Sequence, residues 1–129
     1  MQDDLTFQII GASQKVHRTL GPGYKESIYQ AALCKELMLR NIPFDSQRQF
    51  EVHYEGMLCG TYRPDLVVDA KVICELKASC ELCPEDRMQV IGYLKASGLN
   101  RGLLINFGKT SLEIRRLVND LKKTIREIQ

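Results

Sequence analysis

Apolar side chains return at helical spacing over residues 4–19, with Phe7, Ile10 and Leu20 among them, which predicts a first helix. Leu20-Gly21-Pro22-Gly23 breaks it and turns the chain. A second helix is predicted over residues 24–40. It is rich in Ala and Leu, and its apolar residues run nearly all the way round, so it should be central and buried. Asn41 and Pro43 end it. The period then changes to two. Phe50, Val52 and Tyr54 alternate with polar neighbours in Arg-Gln-Phe-Glu-Val-His-Tyr, a half-buried strand, and Glu55-Gly56 signals a turn. Strands are predicted over residues 58–68 and 71–77. Pro64 marks a bend or an edge in the first, and Asp69-Ala70-Lys71 joins the two as a hairpin. Pro84 opens a helix that reaches Ala96, and Gly98 ends it. Residues 101–107 (Arg-Gly-Leu-Leu-Ile-Asn-Phe) are a short apolar strand of the kind buried on both faces. Following a strand and a helix, this segment should lie parallel to a sheet strand through a right-handed crossover. Residues 111–117 read as a last strand running into a C-terminal helix. The order is ααβββαββα, an α/β chain whose mixed β-sheet is flanked by helices, with residues 1–129 as one domain.

Composition adds little. The 129 residues suit one core, and 44% hydrophobic with 26% charged residues is ordinary for a soluble globular chain. The net charge of +2 is only a faint pointer to nucleic acid. Basic residues are spread out, except for Arg115, Arg116, Lys122, Lys123 and Arg126, which alternate with Glu113, Asp120 and Glu127 as on a solvated helix face. The start, Met-Gln-Asp-Asp-Leu, is acidic and lacks the basic lead of a secretory signal, and no apolar run approaches a membrane span. Five cysteines, with Cys34 and Cys74 inside apolar runs, read as reduced thiols of a cytoplasmic protein.

The chemistry concentrates in Arg63-Pro64-Asp65 and, ten residues on, Glu75-Leu76-Lys77. Glu75 and Lys77 are two apart, so on a strand they share one face. If the hairpin centres on Ala70, Asp65 falls opposite Glu75. Two carboxylates and an amine then converge, the donor set of a hard divalent cation with a cationic neighbour. The flanking residues Val72, Ile73, Cys74 and Leu76 are apolar, and a charge in such a strand is costly unless paired or bound to metal. An ordinary Glu75–Lys77 or Asp65–Lys77 ion pair accounts for the same residues. Glu26 shares a helical stripe with Leu33 and Leu37, flanked by Tyr29. It also sits in a first helical turn, where an acid simply complements the dipole. Gln89 and Tyr93, four apart on the third helix, share a face. They serve either as hydrogen-bonding groups toward a phosphate, Lys77 or a loop carbonyl, or as a core tyrosine beside a surface glutamine.

These residues carry a resemblance. Gly23-x-x-Glu26-x-x-Tyr29, then the Asp65…Glu75-x-Lys77 segment, then Gln89-x-x-x-Tyr93 and the stretch through Gly108 resemble the small GxxExxY family, part of the PD-(D/E)xK nuclease superfamily. The resemblance covers roughly residues 5–118. It implies a restriction-endonuclease-like core, a mixed sheet with a helix on each side. It implies Asp65 and Glu75 as metal ligands, Glu26 reaching the metal directly or through water, and Lys77 as the lysine that orients or activates water. Gln89 and Tyr93, with Tyr29, are implied to position substrate. Mg²⁺ or Mn²⁺ is the implied cofactor, held also by a main-chain carbonyl near Leu76. Nucleic acid, DNA before RNA, is the implied substrate, in repair, processing or mobile-element defence. A homodimer is expected because small nucleases often pair to span a substrate. The rivals are a catalytically silent nucleic-acid-binding accessory subunit of the same fold and a structural protein whose acids make salt bridges.

Three other motifs weigh less. Cys80-x-x-Cys83 near Cys74 invites a zinc or iron–sulfur reading but lacks a second pair at ligand spacing. Gly108-Lys109-Thr110-Ser111 lacks the earlier glycine of a phosphate loop. His17 and His53 stand alone and read as packing or surface residues.

Overall fold

A computed structural model describes residues 4–120 and 124–128. Helices α1 (Asp4–Leu20) and α2 (Glu26–Leu39) come first. Strands β1 (Phe44–Asp45), β2 (Phe50–Tyr54), β3 (Met57–Tyr62), β4 (Leu66–Val68) and β5 (Val72–Lys77) follow. Then come α3 (Pro84–Ser97), β6 (Arg101–Asn106), β7 (Glu113–Asn119) and β8 (Ile125–Ile128). Six strands form one sheet in the order β1-β4-β5-β6-β7-β8, and β2 and β3 form a separate two-stranded ribbon. Only β5 and β6 pair in parallel, through the α3 crossover; every other pair in the sheet is antiparallel. Among the described residues no helix is long and apolar enough to cross a membrane.

Alternation along the central strands sorts the core into two layers. Leu66, Val68, Cys74, Leu76, Leu103 and Ile105 face α1 and α2. Val67, Ile73 and Leu104 face α3, where they meet Val90, Ile91 and Leu94. Each helical layer buries one face of β5 and β6, so both strands are apolar throughout except where chemistry intrudes. Tyr29 stacks on Phe107 with ring centroids 4.7 Å apart, joining α2 to the end of β6. Glu36, buried on α2, binds Arg40 at 2.8 Å and Lys15 of α1 at 3.6 Å.

Four expectations are corrected. Residues 125–128 are a strand, not a helix: Arg116, Leu117, Val118 and Asn119 pair with Ile128, Glu127, Arg126 and Ile125. Without β8 the β7 strand would leave a sheet edge open, and Glu127 finds Arg115 of β7 at 3.3 Å and Arg87 of α3 at 3.2 Å. Lys122 and Lys123 lie outside the described residues. Residues 58–68 are two strands in two sheets, because the chain leaves the ribbon at Arg63-Pro64 and enters the main sheet at Leu66. The strand at Phe50–Tyr54 buries Phe50 alone, with Tyr54 69% exposed, since the ribbon stands off the sheet and rests on α3. Helix α2 buries only one face; Ile28, Met38 and Leu39 are exposed because the sheet covers just the Tyr29–Leu33–Leu37 side.

The β4–β5 turn places Asp69 and Ala70 at φ of 52° and 54°. Asp tolerates the left-handed region, but Ala there costs about 1 kcal/mol relative to Gly. Ala70→Gly should therefore raise stability by about 1 kcal/mol, read as a higher urea midpoint at unchanged slope.

Candidate functional site

The site begins with a register. Leu66 pairs with Cys74 and Val67 with Ile73, so the hairpin is centred on Ala70 and Asp65 stands opposite Glu75. The Asp65 N–H donates to Glu75 Oε1 at 3.3 Å, and the Leu76 N–H donates to Asp65 Oδ2 at 2.8 Å. Glu75 is only 4% exposed, in a strand whose neighbours are fully buried. Lys77, on the same face, sits with Nζ 3.8 Å from Glu75 Oε2.

Helix α3 holds Lys77 from above. Lys77 Nζ donates to Gln89 Oε1 at 3.0 Å, and Gln89 Nε2 donates to the Tyr93 hydroxyl at 3.0 Å. Tyr93 meets Tyr62 of the ribbon edge-on at 5.3 Å. Asp86, absent from the sequence reading, completes the cradle 3.6 Å from Lys77 Nζ. It is the third residue of α3 and accepts from the Cys83 N–H at 2.9 Å and the Cys83 thiol at 3.3 Å. An acid three residues after a helix cap is a legible signal, masked here because the cap is a cysteine. Asn106, fully buried, accepts from the N–H groups of Ser79 and Gly108 and donates to the Ser79 carbonyl, pinning the chain just past Lys77. Gly108 packs so close that an added Cβ would lie 2.4 Å from the Ser79 backbone.

Glu26 comes from the opposite layer. It is exposed, opens α2, and makes no direct contact with the pair. Burial nevertheless raises its pKa, against the pull of Lys77 and with the repulsion of Asp65 and Asp86, so it stands within their field. One turn on, Gln30 donates to the Asp65 carbonyl at 3.1 Å and ties α2 to the start of β4. The i, i+4 spacing from Glu26 is the signal that points to Gln30. Tyr29 departs from the expected substrate contact. It is wholly buried; its hydroxyl donates to the Gly21 carbonyl at 2.5 Å and accepts from the Tyr24 N–H at 3.2 Å. Its part is to fix the glycine loop that precedes Glu26.

Burial pushes the Glu75 carboxyl up to about 7, with Asp65 adding repulsion. Asp65 is raised as well, first by burial, while the Leu76 N–H and Lys77 pull it back. Asp86 goes the other way: burial opposes ionisation, but Cys83 and Lys77 outweigh it and lower the pKa. Tyr93 rises to about 12 through burial and the nearby Glu75. The donors around Asp65 and Glu75 are all oxygen, and the two acids are held where a positive charge would relieve both. This fits a hard divalent cation. Among the described residues no three His, Cys, Asp or Glu side chains could hold an ion by themselves.

Elsewhere, His17 Nε2 lies 2.8 Å from the Lys109 carbonyl and its ring packs near Phe107, while His53 is exposed beside Glu51. Cys80 and Cys83 are exposed free thiols, and Cys74 is buried on the face opposite Glu75.

The sign of the Glu75 shift sets a test. Its folded value near 7 exceeds the ordinary 4.5, so the native state holds the extra proton and stability falls as pH rises between those values. The loss is roughly 3 kcal/mol for the metal-free protein. Glu75→Gln should remove this slope and melt higher than the parent at pH 8 in EDTA, with little difference at pH 4. Thermal melts at both pH values check it.

A sequence profile of the PD-(D/E)XK nuclease superfamily matches residues 3–117. No curated protein and no solved structure matches the chain. The matched span runs from α1 into β7 and takes in Glu26, Asp65, Glu75, Lys77, Gln89 and Tyr93 along with both helical layers that hold them. The chain belongs to the PD-(D/E)XK nuclease superfamily.

Proposed function

We propose that the protein is a metal-dependent nuclease that hydrolyses phosphodiester bonds of nucleic acid, DNA in preference to RNA, and that within its superfamily it is of the GxxExxY kind. The observation that carries this reading is the placing of Asp65 beside Glu75 on one sheet face, with the Asp65 main-chain N–H 3.3 Å from the Glu75 carboxylate and the Lys77 ammonium 3.8 Å from it. A structural ion pair needs one acid per base. Here a second buried acid raises the first, an arrangement that costs stability and is common at functional sites.

In this reading Asp65 and Glu75, with a main-chain carbonyl near Leu76, hold Mg²⁺ or Mn²⁺, and Glu26 reaches the ion through a water. When bound, the ion supplies Lewis-acid polarisation of the phosphate and a more acidic water. The chain's own residues do the rest. Lys77 presents a fixed ammonium toward developing negative charge on the phosphate. Because Gln89, Asp86 and Glu75 already hold it, little reorganisation is needed when that charge forms. Gln89 sets the position of Nζ, and Tyr93 sets the amide of Gln89. The Leu76 N–H fixes one oxygen of Asp65 and leaves the other without a hydrogen-bond partner among the described residues. A cytoplasmic setting and a homodimer belong to the same proposal; sedimentation decides the second.

Two measurements test it. Calorimetry should show Mn²⁺ binding to the parent that Asp65→Ala abolishes, and Mn²⁺ should raise the parent's melting temperature. A panel of DNA and RNA substrates with added metal should show cleavage that Lys77→Ala reduces by about 10²-fold or more while Mn²⁺ binding persists. Metal binding and nucleic-acid binding without turnover in the parent would favour the accessory-subunit reading instead. No metal binding at all would favour ordinary salt bridges.

A further inference from the structure

We infer that the cleft between the β2–β3 ribbon and α3 is a track for single-stranded nucleic acid, feeding the Lys77 end of the site. The inference rests on the nuclease reading for what the strand is fed to. The cleft is an open groove of about 730 Å³ lined by Tyr62, Arg63, Met88, Gln89, Tyr93 and Lys95, among others. Gln89 and Tyr93 form part of its wall, and Gln89 holds Lys77 on its other side, so a chain lying in the cleft runs up to the site. A smaller cavity of about 320 Å³ shares Tyr62 and Lys95 and extends the path toward His53.

Its chemistry suits a single strand. Tyr62 is 43% exposed, braced edge-on by Tyr93, and Met88 is 54% exposed on the same lining. Gly92 makes the seating possible: a Cβ there would lie 2.7 Å from the Tyr62 ring. Arg63 is held by the neutral side chain of Gln47 at 3.1 Å, and neither Arg63 nor Lys95 has a carboxylate partner among the described residues. Two uncompensated cations therefore face a lining with one acid, Glu85, in the larger cleft and one, Glu51, in the smaller cavity. An exposed, rigid aromatic ring between free cations serves unstacked bases joined by phosphates. A duplex hides its base faces in its own stack and leaves Tyr62 nothing to stack on. The ribbon's detachment from the main sheet has the same consequence, since it leaves β3 and α3 as two separate walls.

The test is fluorescence anisotropy in EDTA, where metal-dependent turnover is absent, with a labelled DNA strand of roughly 12 nucleotides and the same strand as a duplex. The single strand should bind at least about tenfold more tightly than the duplex. Tyr62→Ala should weaken single-strand binding about fivefold or more, and Tyr62→Phe should retain it. Lys95→Gln, an exposed position safe for folding, should reduce the slope of log affinity against log salt by about 0.7. Duplex binding as tight as single-strand binding, no binding of either, or parent-like behaviour of both Tyr62→Ala and Lys95→Gln would overturn the inference. Loss of the nuclease reading shows separately, as absent Mn²⁺ binding and absent cleavage, and leaves these affinities standing.

Discussion

Two carboxylates facing each other on a sheet beneath a helix repel, and the β4–β5 register leaves Asp65 and Glu75 no escape. Strand alternation puts both on the α3 face, and the hairpin centred on Ala70 puts them side by side. The neighbours of Glu75 are sealed by α1 and α2 on one face and α3 on the other, so water screens Glu75 poorly, while Asp65 is half-buried. Burial and repulsion together hold Glu75 near neutrality. The fold tolerates this because the same strand anchors both core layers. A site of this kind is sustained by packing elsewhere.

Lys77 is the partial remedy, and most of the surrounding detail concerns its placement. Its ammonium is shared among Glu75, Asp86 and Gln89, which no single salt bridge would require. Asp86 is itself fixed by capping α3, so helix start and lysine position are coupled. On the far side, Asn106 and Gly108 clamp the Ser79 backbone. Lys77 is therefore held before and after its own residue.

The outer parts of the molecule divide the work differently. The glycine loop and Tyr29 bring Glu26 to the edge of the site from the opposite layer, while Gln30 ties that helix to Asp65. The ribbon contributes little to the core beyond Phe50, yet it carries Tyr62 and Arg63 against α3. Elements that add little stability are free to serve recognition.

Local chemistry made much of this legible from residue order alone. Two-residue spacing put Glu75 and Lys77 on one face, and the turn at Asp69-Ala70-Lys71 set Asp65 opposite Glu75. Pro84 and Gly98 bounded α3, and the apolar run at Arg101–Asn106 foretold a parallel central strand. Each of these depends on backbone geometry within a few residues. What the order of residues left open depended on which surfaces meet. The chain after residue 117 reads as a helix, and only an unpaired edge at β7 makes residues 125–128 a strand. The apolar ring of α2 is buried on one side because one sheet face was available to it. Asp86, Gln30 and Asn106 meet partners 9 to 35 residues away; cap position and i, i+4 spacing mark Asp86 and Gln30 as candidates, but only the packed structure names those partners. Tyr29 looked like a site residue and proved to be the brace of a loop, because burial, which only the packed structure assigns, decides whether a hydroxyl meets a substrate or a carbonyl.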